Sequence, residues 1–197
     1  MQLFLRLLGV ALTAALTENL IFARAVGWGE LEYQAFSRRR LPATALTVTA
    51  LSTAAAFSSW LGKYLIEEIY PVAVHLRPPI YLMIYAALIF LFLLVWCKVP
   101  ALKTRRIFLH PALAFGFIPL SVMLITGAGA YSLGECLVYG LGAGLGYLLA
   151  VLLSASMKSY MELRKAPEAM QGAPIALLYF GILSLALFGA LGHQVAI

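Results

Sequence analysis

Charge is scarce in this chain. Of its 197 residues, 11% are Asp, Glu, Lys or Arg, against about a quarter in an ordinary soluble domain, and that excludes a soluble globular fold. Cysteine is scarcer still. Cys97 and Cys136 are the two present, and two thiols near the ends of apolar segments have no metal-site spacing. Isolated cysteines in such segments serve as small apolar fillers. His75, His110 and His193 are far apart in the sequence and cluster with nothing. No nucleophile–base arrangement stands out, since Ser58, Ser59 and Ser154 are ordinary small polar residues of apolar helices. The chain is therefore expected to have no independent catalytic site and no metal site. The net charge of +6 does not point to nucleic acid, because the basic residues flank apolar segments.

Hydrophobic residues make up 63% of the chain, and its mean hydropathy is +0.94. Residues 41–62, 78–97 and 136–157 carry no charge at all, and 107–134 and 169–197 carry none apart from one histidine each. A helix needs roughly 20 apolar residues to cross the hydrocarbon of a bilayer. With 3–23 these segments predict six membrane spans in one domain covering 1–197. The stretch 7–16 after Arg6 could serve as the core of a signal peptide. The apolar run continues to Phe22 with no clean small-residue cleavage site, so an uncleaved first span is expected.

The six spans predict five connections. The odd ones hold Arg24, Arg38, Arg39 and Arg40, then Lys98, Lys103, Arg105 and Arg106, then Lys158, Arg164 and Lys165, which is 11 of the 14 basic residues. The even side has Arg6, Lys63 and Arg77. The positive-inside rule puts the odd connections in the cytoplasm and both termini outside, as in a multi-pass protein of a bacterial or archaeal plasma membrane. Arg38 to Arg40 form a topology anchor that also suits anionic lipid headgroups. Pro42, Pro78, Pro79, Pro111, Pro167 and Pro174 mark span entries, where a missing N–H is harmless.

Two spans look irregular. In the first, Glu18, Asn19 and Arg24 interrupt the apolar run, and Gly27-Trp28-Gly29 follows. That pattern predicts a helix that ends early and returns as a loop. In the fourth, Pro119 falls mid-segment, followed by Thr126, Gly127 and Gly129, which predicts a kink or break. Irregular backbone at membrane depth survives only where protein or a cavity covers it. First and fourth are corresponding positions in two three-span halves, about 1–98 and 99–197, and such a pair is the sequence sign of an inverted repeat with a site between its halves. The expected fold is thus all-α, six transmembrane helices in two inverted three-helix repeats, with the first and fourth helices broken.

Charges inside a membrane segment cost about 2.5–3.5 kcal/mol each on insertion scales and usually face a cavity, a partner or a site. Glu18 is the sharpest candidate, a carboxylate able to bind a proton or cation, with Asn19 and Arg24 beside it. The competing reading makes Glu18 a structural partner of Arg24 or of a broken helix's backbone. A spacing of six residues suits direct helical pairing poorly. Gly27, Gly29, Pro119 and Thr126 mark the broken-helix region. Glu135, at the start of the fifth span, is expected to cap that helix, and Glu67 and Glu68 to lie in a solvated turn with Lys63 and Arg77. Gly140/Gly144 and Gly142/Gly146 form two overlapping small-xxx-small pairs, which denote close helix packing.

The stretch from Pro167 to Leu178, the run Gly181-Ile182-Leu183-Ser184-Leu185-Ala186, and Leu137-Val138-Tyr139-Gly140 resemble the six-span membrane subunits of the Rnf and Nqr ion-pumping electron-transport complexes, of the RnfA/NqrE type. The family shows a similar P-x-x-x-x-G-x-x-I-A-L-I segment and a G-L-M-S-L-A-F segment. In the first span the family's N-N-x-x-L-x-K-x-L-G-x-C-P-F places Asn19 at the second Asn, Arg24 at the Lys and Gly27 at the Gly. The resemblance implies an oppositely oriented six-helix paralogue as partner, further complex subunits, and an iron–sulfur cluster held between the two proteins by a cysteine from each half-helix. At those two cysteine positions this chain has Gly29 and Ile125. Neither side chain is a ligand for an iron–sulfur cluster, so the family's [2Fe-2S] cluster is expected to be absent from this chain. The expected function is that of a membrane subunit of an Rnf/Nqr-like redox-driven translocase. The alternative is a stand-alone secondary transporter or membrane binding protein that reuses the inverted-repeat fold.

Overall fold

The structure, a computed structural model, describes residues 2–27, 41–69, 73–98, 116–163 and 173–191. Among these it is helical, with no strand. The helices are α1 (Gln2–Leu12), α2 (Leu41–Tyr64), α3 (Arg77–Lys98), α4 (Phe117–Ala128), α5 (Leu133–Leu163) and α6 (Ala173–Leu191). Short wider-wound turns extend α1 over Thr13–Thr17 and α2 over Leu65–Ile69, and a tight turn over Val74–Leu76 leads into α3. Three stretches, Thr44–Glu67, Val74–Val95 and Leu133–Met157, are long and apolar enough to cross a membrane. Gln2–Thr17, Phe117–Ala128 and Pro174–Gly189 are shorter apolar helices.

Proline explains where several helices begin. Pro42, Pro78, Pro79 and Pro174 all fall in the first turn of their helices, where no intrahelical N–H bond is lost. Pro119, expected mid-segment, is the third residue of α4, so within the described helix it costs no hydrogen bond. Pro111 and Pro167 lie outside the described residues. The start of α5 is fixed by Ser132, whose N–H and Oγ both donate to Glu135 Oε2 at 2.8 Å. Glu135 thus caps its helix as the sequence implied, its carboxylate reaching back to the N–H that precedes the helix, and it also pairs with Arg6.

Helix α5 is the centre of the bundle, and its glycines decide which neighbours can touch it. A Cβ at Gly140 would lie 2.7 Å from Thr53 Cα, and one at Gly144 would collide with Thr49. That pair therefore seats α2. A Cβ at Gly142 would meet the Ala11 carbonyl at 2.6 Å, and one at Gly146 the Ala15 carbonyl at 2.9 Å, so the second pair seats α1. The order of contacts makes α1 parallel and α2 antiparallel to α5. Thr49, Thr53 and Ser154 turn their hydroxyls back to the carbonyls of Ala45, Thr49 and Ala150 at 2.7 Å, which leaves the faces between helices apolar.

Helix α4 packs between α2 and α3. Thr126 Oγ1 lies 2.7 Å from the Val122 carbonyl and 3.0 Å from Ser59 Oγ. Gly127 leaves room for the Tyr81 ring, which a Cβ would meet at 2.7 Å. Lys63 Nζ donates to the Gly129 carbonyl at 2.7 Å, so a cation closes the carbonyl end of α4, where the helix dipole favours it. Arg77 pairs with Glu67 at 2.8 Å. Arg6, Lys63 and Arg77, grouped by the sequence on one side, thus gather at one end of the bundle with Glu67 and Glu135.

Replacing Gly142 or Gly144 by leucine should cost about 1–3 kcal/mol each, the usual penalty for overpacking, read as a lower unfolding midpoint in detergent. A Cβ at Gly181 or Gly189 would have no described atom within 4 Å. Alanine at either position should leave the midpoint unchanged or raise it, since alanine is the better helix former.

Candidate functional site at the end of the first helix

The first helix stops well before the apolar run does. Glu18 N–H still bonds to the Thr13 carbonyl at 2.7 Å, a five-residue step, and wide turns of this kind recur at functional sites. The chain then folds through a compact turn, with Ala23 N–H bonded to the Asn19 carbonyl, Ala25 N–H to that of Ile21 and Val26 N–H to that of Leu20. Ala25 adopts a positive φ of 51°, which costs a non-glycine residue about 1–2 kcal/mol. Gly27, at φ 82°, lies so close to α4 that a Cβ would sit 2.9 Å from Ile118.

Asn19 holds this turn in place. It is 2% exposed, and its side chain makes four hydrogen bonds. Nδ2 donates to the Ala15 carbonyl at 2.8 Å and the Gly146 carbonyl at 3.1 Å. Oδ1 accepts from Ile21 N–H at 3.0 Å and Phe22 N–H at 3.4 Å. An asparagine whose amide bridges the last carbonyls of one helix and the first N–H groups of the next turn leaves few backbone groups unpaired where no water can reach. Leu20, Ile21 and Phe22 are buried in the main core cluster with Ile118, Val122 and Tyr139. Helix α6 closes the turn from outside: Ser184 Oγ donates to the Phe22 carbonyl at 2.6 Å, and Phe180 stacks on Phe22 at 5.7 Å.

Glu18 faces α5. Its Oε2 accepts from the Tyr139 hydroxyl at 3.0 Å, and Tyr139 is 1% exposed. The Tyr131 ring packs against Tyr139 at 5.6 Å. Tyr131 stands in the connection before α5. Arg24 is exposed and forms no ion pair with Glu18. The protein contains no aspartate. Of the three glutamates whose side chains are described, Glu67 and Glu135 are ion-paired and Glu18 is not.

The site residues named from the sequence are therefore partly assembled. Glu18, Asn19 and Gly27 share one turn, which meets the first turn of α4 at Ile118 beside Pro119. Thr126 is seven residues further along α4, bonded toward Ser59 on α2. Gly29 lies outside the described residues, as do Trp28, the arginines at 38–40 and His193. Tyr139 and Ser184 were visible only as parts of family-like strings, and no local signal announced that one would meet Glu18 and the other Phe22. Ile125, in the position of a family cysteine, is partly buried against the apolar core. Cys136 is buried, its Sγ 3.9 Å from the Tyr131 carbonyl. The side chain of Cys97 is not among those described.

An apolar helical bundle that turns an asparagine and an unpaired carboxylate inward is a polytopic membrane protein with an internal polar region. The model of the Rnf-Nqr subunit membrane-protein family matches residues 7–193, and the chain belongs to that family. It is 27% identical over 186 residues to the A subunit of the ion-translocating oxidoreductase complex of Cereibacter sphaeroides, covering 93% of this chain and 95% of that one. It is 29% identical over 151 residues to the A subunit of the Na(+)-translocating ferredoxin:NAD(+) oxidoreductase complex of Acetobacterium woodii, covering 76% of this chain and 78% of that one. A shorter match, 36% over 64 residues and 32% of each chain, is to the E subunit of the Na(+)-translocating NADH-quinone reductase of Stutzerimonas stutzeri.

Asn19→Ala should destabilise the protein by about 1–3 kcal/mol through the polar groups it leaves unpaired. Asn19→Asp should not restore stability, because a carboxylate has no donor for the carbonyls of Ala15 and Gly146. Thermal unfolding of both variants in detergent checks this.

Proposed function

We propose that this chain is an integral membrane subunit of an Rnf/Nqr-type ion-translocating oxidoreductase complex that takes part without holding the family's iron–sulfur cluster through cysteine. The observation that carries the first statement is family membership over residues 7–193, together with relatives named as the A and E subunits of such complexes. The second rests on donor chemistry. Such clusters need thiolates, with histidine an occasional substitute. Ile125 brings only hydrocarbon, and the Cys136 thiol is engaged beside the Tyr131 carbonyl on a different helix.

In this reading the chain sits in a plasma membrane against lipid and an oppositely oriented paralogue, with both termini outside. Two features support discontinuous first and fourth spans in an inverted repeat. The first helical run stops at Thr17, and α4 has 12 residues. Twelve residues reach about 18 Å, short of the roughly 30 Å hydrocarbon core. The turn that follows the first run meets the start of α4 where Gly27 approaches Ile118. The second reading, a stand-alone transporter, is favoured by the unpaired Glu18.

Isolation of the particle from native membranes in mild detergent, through a tag on this chain, tests the assignment. Co-purification of a second six-helix paralogue and of redox subunits is expected, with the iron content of the particle unchanged by Cys136→Ser. A lone protein or homodimer would transfer the case to the transporter reading. Iron lost from the particle on that substitution would overturn the statement about the cluster.

A further inference from the structure

We infer that Glu18 and Tyr139 form a protonation site of this protein, in which the Glu18 carboxylate takes up and releases one proton while the Tyr139 phenol holds it as hydrogen-bond donor. Three observations converge on it. Glu18 is the described carboxylate without an ion pair, while Glu67 and Glu135 each have a cation. It stands where the first helix gives way to an irregular turn within an apolar segment, and a fixed charge in such a segment is costly. Its described hydrogen-bond partner is a phenol on another helix, 121 residues away, that is itself all but fully buried.

The donor set selects a proton over a metal cation. Sodium or calcium would need five or more oxygen ligands drawn together, as hard cations generally do. Here the described side chains supply the carboxylate and one hydroxyl, and the hydroxyl points its hydrogen at the carboxylate. Asn19 Oδ1, next along the turn, is occupied by the N–H groups of Ile21 and Phe22. On uptake, an O–H bond forms at Glu18 and its negative charge disappears. Tyr139 keeps its own proton throughout and donates to the remaining carboxyl oxygen. The groups around the pair are Tyr131 stacked on Tyr139, Cys136 one turn before it on α5, exposed Arg24 on the same turn, and Glu135, whose charge Arg6 balances.

This inference rests on the chain lying in a membrane and not on which complex it joins, so its test does not require partner subunits. Native membranes containing the full chain are treated with a hydrophobic carbodiimide, dicyclohexylcarbodiimide, which adds whole to protonated carboxyl groups in apolar surroundings. The adduct is then located by peptide mass spectrometry. We expect an adduct on Glu18 and none after Glu18→Gln. Tyr139→Phe should raise its yield severalfold, because the charged form loses its donor. Tyr131→Phe, which removes a phenol that packs on Tyr139 without bonding Glu18, serves as the reference for nonspecific loosening and should stay at the wild-type yield. Absence of an adduct on Glu18, or equal yields in the Tyr139→Phe and Tyr131→Phe variants, overturns the inference.

Discussion

The Asn19 carboxamide is the interaction on which this arrangement depends. A membrane bundle cannot leave backbone N–H and C=O groups unpaired, because no water is present to accept them. Ending a helix inside the bundle creates that problem at once. Asn19 resolves much of it with one side chain, joining the carbonyls of Ala15 and Gly146 to the N–H groups of Ile21 and Phe22. Ser184 answers the Phe22 carbonyl from α6. With these bonds in place, Leu20, Ile21 and Phe22 can join the core as if they belonged to a helix, and Glu18 is held facing α5.

The amide can reach α5 only because position 146 is a glycine. A Cβ there would sit 2.8 Å from Asn19 Nδ2. The same absence of side chains at Gly142 brings α1 against α5 along its length, while Gly140 and Gly144 do so for α2. Close approach in a membrane is gained through packing and short polar contacts, since apolar burial alone gives helices no preference for each other over lipid. Polar closures at one end of the bundle complete the frame. Lys63 closes α4, Glu135 closes α5, and Arg6 and Arg77 each hold a carboxylate.

Much of this was legible in the chain itself. The prolines open helices because their effect is local, and Glu135 caps α5 because its partner Ser132 is three residues away. The glycine pairs read as packing surfaces because their four-residue spacing is a property of one helix. The end of the first helix was less legible. An early end was expected from Glu18, Asn19, Arg24 and the Gly27 to Gly29 stretch without its position being fixed; the helix gives way after Thr17, because Asn19 finds carbonyl and N–H partners that offset the lost helical bonds. One of those partners is 127 residues away. Pro119 looked like a kink and proved to lie in a first turn, since the described part of its helix begins at Phe117.

The class of molecule follows from the order of residues alone. Few charges, long apolar runs and basic residues concentrated in alternate connections leave an all-helical membrane protein, and these are sums over local composition that no packing can change. Family-like strings at both ends of the chain added the Rnf-Nqr relationship. The surroundings of Glu18 came from the packed fold and from nothing shorter in range. Its neighbour in sequence, Arg24, was the obvious partner, but the turn directs Arg24 outward and Glu18 toward α5. There it meets Tyr139, because the orientation of a side chain at this helix end depends on side-chain hydrogen bonds, from Asn19 to the Gly146 carbonyl and from Ser184 to the Phe22 carbonyl, that join residues more than a hundred positions apart.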